Sequence, residues 1–143
     1  MATTVNVTEL QELLDNSPFV KVYNFKVVSL GDGEATVLFP FDKTFERPGG
    51  YVSGPVYMAA ADLAMWLAII TKVGLEEGLM DLTLEMKTNF LTGAKAEDVL
   101  CTAKVLKVGR RIIYGVADCS TPEGKLCTHH TLTYMRTGKG EHD

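Results

Sequence analysis

The sequence predicts an α+β domain: a six-stranded antiparallel sheet wrapped around one long central helix, with a short helix at the N-terminal end. Three observations predict it. Pro55 to about Val73 is a long apolar stretch without a turn signal, and at 1.5 Å per residue it would span nearly 30 Å, the width of a small domain. One strand hairpin precedes that stretch, and four strand-like segments follow it. A lone helix cannot cover six flat strands, so the sheet has to curl around it.

The elements follow in order. Residues 8–16, TELQELLDN, read as a short amphipathic helix capped by Thr8, with Leu10, Leu13 and Leu14 on one face and Pro18 ending it. FVKVYNFKVVSL is rich in β-branched and aromatic residues and reads as a strand. Gly31-Asp32-Gly33 is the tight turn, and EATVLFPF the returning strand. Asp42 to Gly54 is a loop with three glycines. Pro55 suits the first helical turn, where a missing N–H costs nothing, and Gly74 stops the helix. Ala60, Ala64 and Ala68 make a small-residue stripe suited to close packing on a sheet, while Met58, Met65, Trp66 and Ile69 crowd the face around Asp62. In LMDLTLEMKTNFL, the residues Leu82, Leu84, Met86 and Thr88 alternate onto one side. VLCTAKVLKVG follows the Gly93–Asp98 turn, then RRIIYGVADCS, a Pro122-Glu123-Gly124 turn, and KLCTHHTLTYMR. The tail TGKGEHD is polar and reads as loose. No internal repeat or linker divides the 143 residues, which read as one domain.

Composition excludes some functions. A formal charge of −4 and a pI near 5.4 argue against a nucleic-acid partner. The longest greasy run, Leu63 to Ile70, is far shorter than the roughly 20 residues of a membrane span. The opening MATTVNVTELQELLDNS has neither the basic start nor the apolar core of a secretory leader. Cys101, Cys119 and Cys127 lack metal-ligand spacing and read as reduced core thiols, so a cytoplasmic protein is expected. His129 and His130 are adjacent in a strand and point to opposite faces, which leaves no shared metal; no cofactor is expected.

The chain is organised around RPGGYVSGPVYMAAADLAMWLAIIT, Arg47 to Thr71, where a glycine-rich loop runs into the long helix. Asp62 is the one carboxylate in an otherwise apolar helix. A buried acid without a partner costs several kcal/mol, so loop and acid read as two halves of an active site. This loop is no phosphate-binding P-loop, because no Gly-Lys-Ser/Thr ending follows.

The stretch RPGGYVSGPVYMAAADLAM resembles the PaaI-like (phenylacetate-degradation-type) acyl-coenzyme A thioesterases of hotdog fold, and the similarity extends from about Phe19 to Met135. Their pattern is an Asn, a Gly, a His-Gly-Gly, and an Asp nine residues after that His; Gly50, Gly54 and Asp62 keep the spacing. Arg47 stands in place of the Asn, Ser53 in place of the His, and Pro55 in place of the second Gly. NFLTGAKAEDVLCTAKVLKVGRR resembles the family too, with its strand, turn and strand leading to a Gly-Arg pair.

The resemblance implies thioester hydrolysis on a small to medium acyl- or aryl-coenzyme A. That chemistry needs a donor for the developing oxyanion and a base or nucleophile. The Gly54 N–H lies at a helix N-terminus, where unpaired donors and the helix dipole favour negative charge. Asp62 would activate water or attack directly. Eight helical residues span roughly 12 Å, so Gly54 and Asp62 of one chain cannot both reach one carbonyl. Two chains with antiparallel helices could, which makes a homodimer the expected unit, in the family usually a dimer of dimers.

Other residues carry two readings each. Ser53 is a helix cap or a polar contact near the carbonyl. Gly49, Gly50 and Gly54 serve the site or only the turn. Thr83 aligns with a Ser or Thr that positions water in related thioesterases, or is an ordinary strand residue. Asn89 is a site residue or a polar group at a strand edge. Arg110 and Arg111, and more weakly Lys95, resemble the family's contacts to coenzyme A phosphates, or are solvated charges. Arg47 and Gly50 belong to the substrate-binding set by the same resemblance. Tyr51, Tyr57, Met58, Met65 and Trp66 suggest an apolar acyl pocket. The competing function is a catalytically silent acyl-coenzyme A binding protein, which the lost His and Asn favour. A hydratase is disfavoured, because loop and helix hold no His.

Overall fold

A computed structural model describes residues 5–137. Helix α1 (Val7–Asp15) and the one-turn α2 (Pro18–Lys21) lead into the hairpin β1 (Lys26–Gly31) and β2 (Glu34–Phe39). A 3-10 turn at Lys43–Phe45 precedes the two-residue strands β3 (Glu46–Arg47) and β4 (Tyr51–Val52). Then come α3 (Gly54–Val73), α4 (Leu75–Gly78), β5 (Leu82–Phe90), β6 (Val99–Val108), β7 (Ile112–Ser120) and β8 (Leu126–Met135). Six strands form one antiparallel sheet in the order β1-β2-β6-β7-β8-β5, and α3 packs across its inner face. This is the hotdog architecture expected from the sequence.

Helix α3 is the core. Its length and mean hydropathy of 1.5 would suit a membrane span, but 67% of its most apolar 18 residues are buried inside the fold, as a central helix must be. The alanine stripe lies against the sheet: Ala60, Ala64 and Ala68 are all buried. Closest approach falls at Gly115, where a Cβ would run into the Lys104 carbonyl and the Met65 thioether. Gly74 ends the helix in a left-handed conformation, φ 94°. The Asp32-Gly33 turn is tied to the far end of the helix: Thr71 Oγ1 accepts the Gly33 N–H at 2.8 Å and donates to the Ala68 carbonyl at 2.6 Å.

Four local expectations change. Asn6, not Thr8, caps α1, in a reciprocal capping box with Glu9. Pro18 does not merely end a helix; it occupies the first position of α2, so Phe19 to Lys21 are helical and the strand begins only at Lys26. Aromatic packing outweighs local β propensity there, because Tyr23 stacks on both Phe25 and Phe45 at 5.2 and 5.1 Å. Ser53 holds the cap position of α3, but its hydroxyl makes no cap bond. The alternation of β5 breaks at a bulge between Thr83 and Glu85: Thr83, Met86 and Thr88 pair with the inward Tyr134, Leu132 and His130, while Leu82 and Leu84 are more than half exposed.

The three cysteines are free and buried, as expected. The polar tail lies outside the described residues except for Thr137, whose N–H and hydroxyl bind Asp81. His142 also lies outside them.

Candidate active site

Asp62 sits near the middle of α3, half-buried, and it is not alone. Two hydroxyls converge on its Oδ1: Thr83 donates at 2.7 Å and Tyr134 at 2.8 Å, and the Tyr134 hydroxyl also lies 3.0 Å from the Asp62 carbonyl. The expectation of an uncompensated acid is corrected. The β5–β8 register sets Thr83 opposite Tyr134, so neighbouring strands hold both donors under the helix. Burial, together with the Asp62 charge, pushes the Tyr134 phenol far above its ordinary range, which keeps it a donor.

A cavity of about 300 Å³ opens on this group. Its walls are Leu63 and Trp66 of α3, Leu79 and Leu82 near the start of β5, and Phe19, Tyr23 and Phe25 from the N-terminal segment. The Trp66 indole N–H donates to the Gly78 carbonyl at 2.7 Å, which fixes the ring. Asp81 lines the cavity beside Asp62; among the described residues no Lys, Arg or His does.

Gly54 lies in a different cavity, of about 570 Å³, with Arg47, Tyr51, Tyr57, Phe90 and Gly93 on its walls. As the first residue of α3, its N–H has no partner within the helix. Phe90 covers it: a Cβ on Gly54 would meet that ring at 3.4 Å. Gly49 and Gly50 turn the chain between β3 and β4 with φ of 97° and 83°, and the Gly50 carbonyl accepts the Ala96 N–H. Gly50 is therefore a turn glycine that shapes the loop. Lys95 lies over the Tyr51 ring at 5.7 Å.

The expected acyl-pocket set divides. Trp66 lines the Asp62 cavity, and Tyr51 and Tyr57 line the Gly54 cavity. Met65 is buried in the core, and Met58 is exposed between the two. Asn89 is exposed on the edge strand β5. Its register partner is His129, whose ring bonds to Asp118 at 2.5 Å on the outer face, whereas Thr88 turns inward to the buried His130. One chain thus keeps Asn89 away from the Asp62 cavity. Arg110 and Arg111 are exposed at the tip of the β6–β7 hairpin, at the same end of the sheet as Asp62. Among the described residues no three His, Cys, Asp or Glu side chains gather as a metal would require. Tyr134 was not legible as a site residue, because TLTYMR reads only as a strand.

The sequence profile of the thioesterase superfamily matches residues 49–128, which take in Gly49 to Gly54, Asp62 and the strands β5 to β7. The chain belongs to the thioesterase superfamily. A candidate esterase of Saccharolobus solfataricus, SSO2140, is 31% identical over 106 residues, 74% of each chain. The structure of the Haemophilus influenzae thioesterase HI1161 superposes with a TM-score of 0.88 at 25% identity, covering 99% of this chain and 96% of that one. A hypothetical thioesterase of Streptococcus pneumoniae, solved with coenzyme A, shares the fold at a TM-score of 0.71 and 21% identity, covering 80% and 87%. Thioester hydrolysis is thus the chemistry of the superfamily into which this fold and loop place the chain.

Proposed function

We propose that this thioesterase hydrolyses small to medium acyl- or aryl-coenzyme A, using Asp62 of one subunit and the Gly54 amide of a second. The observation that carries the reading is the layout of β5. This strand is a sheet edge with exposed Leu82, Leu84 and Phe90, a surface that invites pairing with another strand. One end holds Thr83 against Asp62, and the other holds Phe90 against Gly54. Antiparallel pairing of two copies about a point near Met86 sets each Thr83 beside the other copy's Phe90 end. Each acid then meets the other copy's loop, and the half-exposed Met58, midway between Gly54 and Asp62, lies at the two-fold axis.

In such a site Asp62 takes a proton from water, and the water oxygen bonds to the thioester carbonyl carbon. The carbonyl oxygen becomes an oxyanion, held by the partner subunit's Gly54 N–H, a donor worth about 3–4 kcal/mol. Collapse breaks the C–S bond, and Asp62 returns the proton to the departing thiolate. The acyl group occupies the apolar Asp62 cavity, and the exposed Arg110 and Arg111 meet the coenzyme A phosphates. The coenzyme A in the Streptococcus pneumoniae neighbour supports that choice of leaving group.

Complementation tests the reading. Asp62→Asn and Gly54→Pro, which deletes the N–H at a position where proline is tolerated, should each lose thiol release. Unfolding and re-mixing them in equal amounts should restore about a quarter of wild-type activity, because half the dimers are mixed and carry one intact site. No recovery refutes a shared site. A wild type that binds acyl-coenzyme A without turnover across a substrate panel favours the silent binding protein, the reading that Ser53 and Arg47 support.

A further inference from the structure

We infer that Tyr134 is the positioning residue of the Asp62 carboxylate: with Thr83 it fixes Oδ1, leaving the second oxygen to handle the proton. The inference rests on the proposed role of Asp62 and adds a residue to it.

Three observations carry it. The first is convergence: both hydroxyls donate to the same oxygen, at 2.7 and 2.8 Å, so the carboxylate cannot rotate without breaking both bonds. The second is the difference between the two donors. Thr83 is exposed on the sheet's edge strand, one residue before a bulge. Tyr134 is 3% exposed, and β8 is paired on both sides, to Thr83 on β5 and Ile113 on β7. Its hydroxyl also lies 3.0 Å from the Asp62 backbone carbonyl. The tyrosine is the rigid donor of the two.

The third is the charge around the acid. Among the described residues, the titratable groups lining the cavity with Asp62 are Tyr134, Tyr23 and Asp81, and none of them is a cation. Farther back, Glu77 and Arg136 neutralise each other in a two-bond fork. An ionised Asp62 therefore depends on hydroxyl donors for its compensation, against the opposing charge of Asp81. Hydrogen bonds to the charged form of a carboxylate favour that form and fix its orientation.

The test follows the carboxyl carbon of Asp62 by NMR in protein carrying 13C-labelled aspartate, with Asp62→Asn identifying the signal. Tyr134→Phe keeps the ring and deletes a hydroxyl that donates to the charged carboxylate, so the Asp62 midpoint should rise relative to wild type. The acid limb of kcat/KM should move up with it, with KM for the substrate little changed. Thr83→Val, at an exposed position, should shift the midpoint in the same direction and serves where Tyr134→Phe folds poorly. A purely structural role would lower the active fraction without moving either midpoint, so unmoved midpoints in both variants overturn the inference. If Asp62→Asn remains active, the role of Asp62 as base falls. The NMR midpoint still decides whether Tyr134 controls the carboxylate.

Discussion

Asp81→Asn should stabilise the protein at high pH and not at low pH. Asp81 is 4% exposed. Its Oδ1 accepts from the Thr137 N–H and hydroxyl at 2.9 and 3.2 Å, while among the described residues no N–H or hydroxyl donates to its buried Oδ2. Glu77, equally buried, lies close enough for its charge to act on Asp81, and its own oxygens are taken by Arg136 at 2.7 and 2.8 Å. Burial and the Glu77 charge push the Asp81 carboxyl above its ordinary value, against the Thr137 N–H. The folded chain therefore holds this proton more tightly than the unfolded chain does. The resulting stability is complete below the unfolded carboxyl range and disappears as pH rises through the folded value. Asparagine has nothing to ionise: its carbonyl keeps the Thr137 bonds and its amide can donate to Glu77. An unsatisfied buried acceptor costs about 1–3 kcal/mol, so Asp81→Asn should gain that much at pH 8 and a few tenths of it near pH 4. At about 3 °C per kcal/mol for a chain of this size, the melting temperature should rise by about 3–9 °C at pH 8. Urea or thermal unfolding at one fixed protein concentration measures it, since association also stabilises. A gain equal at both pH values, or a loss at both, would refute the account.

Two further outcomes test the site's outer parts. Leu84→Lys puts a charge on the exposed edge of β5 without touching the core; sedimentation should show smaller particles, and thiol release should fall with the loss of association. A variant that stays assembled and active removes β5 as the pairing edge. Replacing Arg110 and Arg111 together by Ala should raise KM for acyl-coenzyme A about tenfold while sparing kcat, and should leave an acyl-pantetheine thioester, which lacks the nucleotide phosphates, unaffected. Equal effects on both substrates would place the arginines elsewhere in the mechanism.

The sequence was legible where local chemistry decides. Pro55 and Gly74 bracket α3 because one dispenses with an N–H and the other takes a left-handed φ, and neither needs a neighbour in space. The Gly31–Gly33 turn was legible for the same reason. It failed where packing outweighs propensity. Phe19 to Lys21 look like a strand and fold as a helical turn, because the aromatic cluster around Tyr23 and the roof of the Asp62 cavity need those side chains there. Choosing between the two readings of Asn89 needs the β5–β8 register, which turns Thr88 inward to His130 at 2.9 Å.

The most instructive failure concerns Asp62 itself. An acid in an apolar helix reads as unpaired because sequence displays only neighbours along the chain. Its compensating hydroxyls come from residues 21 and 72 positions away, brought beneath it by the β5–β8 register. Hydroxyls are weaker compensation than a cation would be, and among the described residues no cation lines the cavity in front of them. A fold selected only for stability would gain by an apolar side chain at this position. Keeping the carboxylate, bonded at one oxygen and beside a cavity, is what a proton acceptor requires, and the Gly54 amide, its proposed oxyanion donor, lies about two helix turns away, in a different cavity of the same chain. The separation of acid and loop within one subunit is thus the strongest argument that the working site belongs to two.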